Sequence, residues 1–440
     1  MRARFGLILA LIGVTAYPVS VFGGEPFKKL IPMKKIGPPE CPPVTIPCPE
    51  NSDASSRTEM EAGSEVGNDG NGSESSTLAP LAPEAADIPG YATTNLSGLN
   101  TDRSTYNSLQ SLSSIGDFFA PDGQTALMSG VNLGAGGTYT GAFTDQPLSP
   151  GVGIGRFKTS DSNSPIPRDR LFLDYSLFHN ARLTPNDINI QRFVPGIERT
   201  FIDGLTSIEV RLPIAMTLNS ASFSDSNAVD TQNTEFGNIG IAAKGILWST
   251  DGFVLTSGVI LQTPTADDIV FGNSAGEEAV VIRNTQYRLL PYLATLHYND
   301  EWFWQNYIQV DAAANGNKVY INNDGQQFDQ IGVLEEQNYL YLDTSLSKWL
   351  HRDRRRQTGL AMTFELHYNT TINDSDRVSI SDNRGNVQLG TSNFTSDIVN
   401  MNIGPTFLYG STTMTVAYGT PLTEDRGADG EMRVLLNRLF

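Results

Sequence analysis

Leu360-Ala361-Met362-Thr363-Phe364-Glu365-Leu366-His367-Tyr368-Asn369 is the stretch from which the fold can be read. Leu360, Met362, Phe364, Leu366 and Tyr368 take every second position, and Ala361, Thr363, Glu365, His367 and Asn369 fill the gaps. A period of two sends successive side chains to opposite faces of an extended strand, so one face is greasy and the other polar. The pattern recurs upstream. Leu171, Leu173, Tyr175 and Leu177 alternate with Arg170, Phe172, Asp174 and Ser176; Ile208, Val210, Leu212 and Ile214 alternate with Ser207, Glu209, Arg211 and Pro213. Leu340, Leu342, Thr344 and Leu346 oppose Tyr341, Asp343, Ser345 and Ser347, and Val399, Met401, Ile403 and Phe407 interleave with Asn400, Asn402 and Thr406.

Alternation alone also suits a soluble sandwich, so the connections decide. Strands are expected near 169–180, 188–200, 205–215, 234–248, 253–264, 285–298, 301–313, 336–349, 356–371, 395–409, 412–419 and 430–440. Links after even-numbered strands are short turn sequences: Ile202-Asp203-Gly204, Ser249-Thr250-Asp251-Gly252, Asn299-Asp300, the stretch 350–355 and Gly410-Ser411. Links after odd-numbered strands are mostly long, notably 216–233, 265–284, 314–335 and 372–394, with 181–187 and 420–429 shorter. Turns at one end and loops at the other predict an all-β fold, a transmembrane antiparallel β-barrel of about 12 strands (12 to 14) over 169–440. A sandwich has no reason to show that asymmetry.

What precedes the barrel divides into three. Residues 1–23 carry Arg2 and Arg4, an apolar run from Phe5 to Val14 and then Val21-Phe22-Gly23, which reads as a cleaved signal peptide. Residues 24–90 are Pro-rich and then acidic: 50–87 hold nine Asp and Glu against one Arg and no aromatic residue, a composition that cannot bury enough to fold. Cys41 and Cys48 sit in the Pro-rich part, where an exported chain is expected to close them into a local disulfide. Residues 91–168, rich in Gly, Ser and Asn, are either further linker or chain folded back as a partial lumen plug. The net charge of -18 argues against nucleic acid as a partner, which would call for clustered Lys and Arg.

Strand parity nominates side chains facing the lumen: Asp174, Glu209, Arg211, Lys244, Asp311, Asp343, Glu365, His367 and Arg433. Their mixed charge suits either a paired, rigid wall or contact with cargo. Trp248, Trp302, Trp304 and Trp349 all flank short turns and are expected to form an aromatic girdle at one membrane interface. The basic run around Arg352, Arg354, Arg355 and Arg356 fits lipid head groups there. No metal site, cofactor or catalytic residue is expected. A barrel-surface lipid hydrolase would need Ser176 beside His179, and strand geometry sends those two to opposite faces.

The chain ends in Glu431-Met432-Arg433-Val434-Leu435-Leu436-Asn437-Arg438-Leu439-Phe440, which resembles the last strand of bacterial outer-membrane barrels, with a final Phe and Met432, Val434 and Leu436 in phase with it. Arg438 departs from that pattern. The resemblance makes Phe440 part of the signal read by barrel-assembly machinery. Gly237-Asn238-Ile239-Gly240-Ile241-Ala242-Ala243-Lys244-Gly245 and Gly258-Val259-Ile260-Leu261-Gln262-Thr263-Pro264-Thr265 are similar to the meta-pathway phenol-degradation and long-chain fatty-acid transporter-like barrels. That likeness implies passive uptake of small apolar or aromatic molecules across the bacterial outer membrane. A general porin is the alternative, and a structural barrel or adhesin a third. Outer-membrane lipid and a small-molecule cargo are the expected partners, and the oligomeric state is left open.

Overall fold

The structure, a computed structural model, describes residues 112–117, 124–146, 148, 156–181, 188–216, 221–223, 234–374, 376–391 and 396–440. The proposed signal peptide, the acidic segment and the Cys41–Cys48 pair lie outside the described residues.

Twelve antiparallel strands close on themselves. In chain order they are β1 (Arg170–Ala181), β2 (Ile188–Phe201), β3 (Thr206–Arg211 and Ile214–Met216), β4 (Thr234–Phe236 and Gly240–Thr250), β5 (Phe253–Gln262), β6 (Arg288–Tyr298), β7 (Trp302–Ala313), β8 (Tyr339–Asp353), β9 (Thr358–Thr371), β10 (Asp397–Tyr409), β11 (Thr412–Pro421) and β12 (Gly430–Leu439). Each pairs with its chain neighbours, and β12 closes the ring on β1 in a register running from Gly430 opposite His179 to Leu439 opposite Arg170. Closure removes the sheet edges that would otherwise leave backbone polar groups unpaired in lipid. Strand β3 is interrupted at Leu212-Pro213, where proline has no N–H for the ladder, and its neighbour β4 is interrupted at residues 237–239. The Gly237 N–H bridges the two breaks by donating to the Pro213 carbonyl at 2.8 Å.

The surface is inverted relative to a soluble protein. All twelve strands turn large apolar side chains outward, among them Leu171, Ile197, Ile208, Ile241, Val259, Leu293, Ile308, Leu346, Phe364, Ile403, Met414 and Leu436, while charged side chains fill the interior. A continuous apolar belt around the girth would be strongly unfavourable in water and suits hydrocarbon. Strands of ten to fifteen residues, where unbroken, are long enough to cross it.

At the long-loop end the connections carry strands of their own, which the sequence reading left as loops. Val378–Asp382 and Gly385–Leu389 from the β9–β10 link join Gln124–Asn132 and Thr138–Gln146 in a four-stranded sheet. Five more strands, Ala221–Phe223, Ile269–Gly272, Glu278–Arg283, Asn317–Asn323 and Gln327–Leu334, form a second sheet from the other three long links. The two sheets share one apolar core, including Ala126, Met128, Tyr139, Phe143, Phe271, Val280, Val319, Ile321 and Val387, so a small sandwich caps this end. Phe271 is fully buried there with its ring 5.4 Å from that of Phe143. Phe271→Ala is expected to destabilise the cap by about 3–5 kcal/mol. Limited proteolysis should then cut within residues 265–284 while the barrel keeps its heat-dependent shift on a gel.

Arg384 ties the sheets together, holding Asp382 at 2.6 Å and Asp329 at 3.3 Å. Both carboxyls lie below their ordinary range, Asp329 through hydrogen bonds led by that from Gln327, and Asp382 through Arg384. A lowered carboxyl adds stability above its unfolded value and loses it as acid titrates the folded one. The clamp is therefore expected to hold through neutral pH and release only in acid, which amide exchange over residues 378–389 would report.

Candidate functional site

Among the described residues, two stretches of chain pass through the lumen. Leu112 and Ile166 pack with Val254, Leu296, Phe303, Trp349 and Ala361, which flank the short turns. Arg156, by contrast, reaches Asp311 and Glu336 beside the long links. The outgoing limb, 112–117, therefore runs from the turn end toward the cap. The hairpin 124–146 lies in the cap, and the return limb, 156–168, descends to the start of β1.

Small residues let the limbs run side by side. The Ser114 N–H donates to the Asn163 carbonyl at 2.8 Å, its Oγ donates to the Ser160 and Asn163 carbonyls at 2.5 and 2.9 Å, and the Ser162 N–H donates to the Ile115 carbonyl at 3.3 Å. Gly116 has φ +80°, and a Cβ placed on it would lie 2.6 Å from the Asp161 Cα, so only glycine fits this crossing.

The wall grips both limbs with charge. Near the cap, Arg156 bonds Asp311 at 2.9 Å and Glu336 at 2.8 Å with its guanidinium 4.6 Å from the centre of the Tyr339 ring. Lys158 bonds Asp343 and Asn369, each at 2.8 Å, and Asp117, with its ammonium 5.0 Å from the Tyr341 ring centre. At mid-depth Glu365 accepts the backbone N–H of Ile115 at 2.7 Å and of Gly116 at 2.8 Å. Gln309 accepts the Thr159 N–H at 2.6 Å and donates to the Phe157 carbonyl at 3.0 Å, and Arg433 bonds Asp161 at 3.1 Å. Toward the turns, Lys244 bonds Glu198 at 2.8 Å and the limb's Asn163 and Ser164 at 2.9 Å. Arg170, fully buried, spans Glu198 at 2.7 Å, Glu209 at 2.6 Å and Asn437 at 2.6 Å while also bonding the Ser162 carbonyl.

All nine charged or titratable side chains nominated from parity, Asp174, Glu209, Arg211, Lys244, Asp311, Asp343, Glu365, His367 and Arg433, lie inside and are buried. The limbs cover them, so they face chain rather than water. Strand parity applies equally to Arg192, Glu198 and Arg288, each buried on the inner face and absent from that set of nine. The limb residues Asp117, Arg156, Lys158, Asp161 and Arg168 carry no periodic signal and become visible only once the limbs are placed.

Three of the four tryptophans lie on the outer face. Trp248 is 62% exposed, Trp302 lies under the Lys348 ammonium at 4.6 Å, and Trp304 donates from Nε1 to Thr344 at 2.9 Å. Trp349 is a correction to the girdle. It is 5% exposed and packs inward against Phe303 and Ala361, because it shares parity with Asp343, Ser345 and Ser347. Phe440 is exposed at the end of β12 with the Arg199 guanidinium 5.3 Å from its ring centre. Ser176 is buried inside while His179 is exposed outside, which keeps that pair apart.

Asp117, Asp343 and His367 offer three ligand atoms within 4.8 Å of one another; Asp343 and His367 face each other across the β8–β9 pair, and Asp117 joins them from the outgoing limb, which spacing could not reveal. The Lys158 ammonium already bonds both carboxylates, so the cluster is a seat for a cation with a cation of the chain in it. Beside it, Asn400, Asn402, Gly419 and Glu431 line a cavity of about 20 Å³, room for roughly one water.

Solved structures similar to this chain are outer-membrane barrel proteins. The COG4313 outer membrane channel from Pseudomonas putida F1 is 12% identical with a TM-score of 0.39, over 63% of this chain and 97% of that one. The Pseudomonas putida toluene transporter TodX is 10% identical with a TM-score of 0.33, over 73% and 98%. The KdgM porin is 10% identical with a TM-score of 0.33, over 62% and 99%. At these values the likeness brings neither activity nor cargo to this chain. No family model and no curated protein matches it.

Proposed function

We propose that this chain is a bacterial outer-membrane channel, closed by its own lumen limbs, that passes small hydrophilic solutes when the limbs move. One observation carries the reading: the boundary between limbs and wall is buried yet studded with ion pairs and hydrogen bonds from Arg156 at the cap to Arg170 at the turns, alongside the apolar contacts of Leu112, Ile115, Phe157 and Ile166. Burying charge carries a desolvation cost that an apolar filling would avoid, so a polar filling is a poor way to build a permanently solid barrel. It is a good way to build a separable one, because both surfaces can be rehydrated. The same wall chemistry favours polar solutes, as in a general porin, over the apolar or aromatic cargo that the sequence resemblance implies. The reading is non-enzymatic. Its partners are outer-membrane lipid on the apolar belt, the assembly machinery that reads the strand ending in Phe440, and the solute.

The cap favours a second reading, a surface adhesin on a closed barrel, because the sandwich has a core of its own. Proteoliposome swelling with sugars and aromatic acids of graded size separates the two. Wild-type protein is expected to admit solute slowly, and Gly116→Val, which pushes the limbs apart, is expected to admit small sugars roughly tenfold faster or more. Entry of aromatic acids without sugars would move the cargo back to apolar compounds. No entry through either protein, together with loss of cell attachment when the cap loops are shortened, would establish the adhesin instead.

A further inference from the structure

Charge on the wall is unevenly distributed, and the limbs conceal the excess. Among the described residues, the barrel strands bury eight carboxylates against six guanidinium and ammonium groups, while the limbs bring three cations and two carboxylates. The imbalance is local. Around β1 to β4 and β12, Arg170, Arg192, Arg211, Lys244 and Arg433 match the acids beside them. On β7, β8 and β9, Asp311, Asp343 and Glu365 form a ladder; Arg288 bonds Asp311 at 2.6 Å, and His367 lies 2.9 Å from Asp343 and 3.1 Å from Glu365. The remaining compensation comes from the limb: Arg156 on Asp311 and Glu336, and Lys158 on Asp343.

We propose that Asp311 and Asp343, with the Tyr339 and Tyr341 rings beside them, make the opened lumen selective for cations, and that Arg156 and Lys158 occupy these two seats while it is closed. The inference rests on the channel reading above. The seats are built for cations: each offers carboxylate oxygen, and each has an aromatic face, which attracts positive charge through its quadrupole. The two rings are stacked with centroids 6.0 Å apart and planes 3° from parallel, so the seats follow one another along the path. When the limb leaves, it takes its cations with it, and the ladder faces water with its charge uncovered. A low-dielectric wall then concentrates counterions along that side. Small inorganic cations, amines and guanidinium compounds are the class that fits.

The test is the reversal potential of full-length Gly116→Val in planar bilayers under a potassium chloride gradient, since that variant moves the limbs without altering wall charge. A potassium-over-chloride permeability ratio of roughly 3 or more is expected, falling toward one in Gly116→Val with Asp311→Asn and Asp343→Asn. Should neutralising Asp311 prevent folding because Arg288 loses one of its two carboxylate partners, Asp343→Asn alone is expected to lower the ratio. A ratio at or below one in Gly116→Val, or one that ignores both substitutions, overturns the selectivity while leaving a channel. Complete absence of conductance overturns the channel reading and this inference together.

Discussion

Glu365→Leu is expected to open the lumen. The wild-type carboxylate is fully buried and accepts two backbone N–H groups of the outgoing limb, from Ile115 and Gly116. Leucine has a similar volume but no acceptor, so both donors are left buried and unsatisfied at about 1–3 kcal/mol each. Taking about 3 kcal/mol in all, the balance between seated and displaced limb shifts roughly a hundredfold. The measurement is single-channel recording, with open probability rising in Glu365→Leu and rising less in Glu365→Gln, whose amide oxygen still accepts one N–H. Open probability unchanged in both variants would mean that the limb is not held where the structure places it.

Arg170→Met should have the largest effect on stability. Arg170 joins β1 to β2 through Glu198, to β3 through Glu209, to β12 through Asn437 and to the return limb through Ser162. Removing one member of a buried ion network strands the others, at about 3–5 kcal/mol. Urea unfolding in detergent, followed by the loss of β-sheet signal, would show a lower midpoint with an unchanged slope. Adding Glu209→Gln removes an acid that has lost one of its two partners but takes the carboxylate from Arg211, and the double-mutant cycle isolates the share that belongs to the Arg170–Glu209 pair. Additive losses would mean that the two side chains act independently.

The barrel was legible because it obeys one local rule twelve times. Strand parity places Leu360, Met362 and Phe364 outside and Glu365 and His367 inside, and link length then separates the two ends. Trp349 obeys the same rule. Proximity to a turn suggested an interfacial ring, whereas counting from Asp343 places it inside. The cap was hidden for a different reason. Ile269-Val270-Phe271 and Ala279-Val280-Val281-Ile282 pair with each other as a local hairpin, which their apolar runs could have indicated, but their outer edges pair with Ala221–Phe223 and Asn317–Asn323 in other links, and pairing at that distance leaves no periodic trace. The limbs were least legible. Residues 112–117 and 156–168 have no regular strand or helix, and their positions follow from bonds to side chains more than a hundred residues away, such as Ser114 to Tyr307 and Lys158 to Asn369.

The path of the limbs also constrains how the molecule can come apart. The chain rises through the ring, turns in the cap and descends to become part of the ring itself, which is a slipknot rather than a knot. Traction on residue 112 from the turn side draws the outgoing limb back the way it came, provided that Gln124–Asn132 first peels from Gly385–Leu389, and the wall stays whole. Traction on the return limb pulls instead at Arg170 and the seam between β1 and β12. Pulled end-first, one strand of the slipknot can therefore be withdrawn repeatedly without unravelling the ring, whereas the other, which carries Arg156 and Lys158, stays tethered to β1 and leaves its seats only by swinging aside.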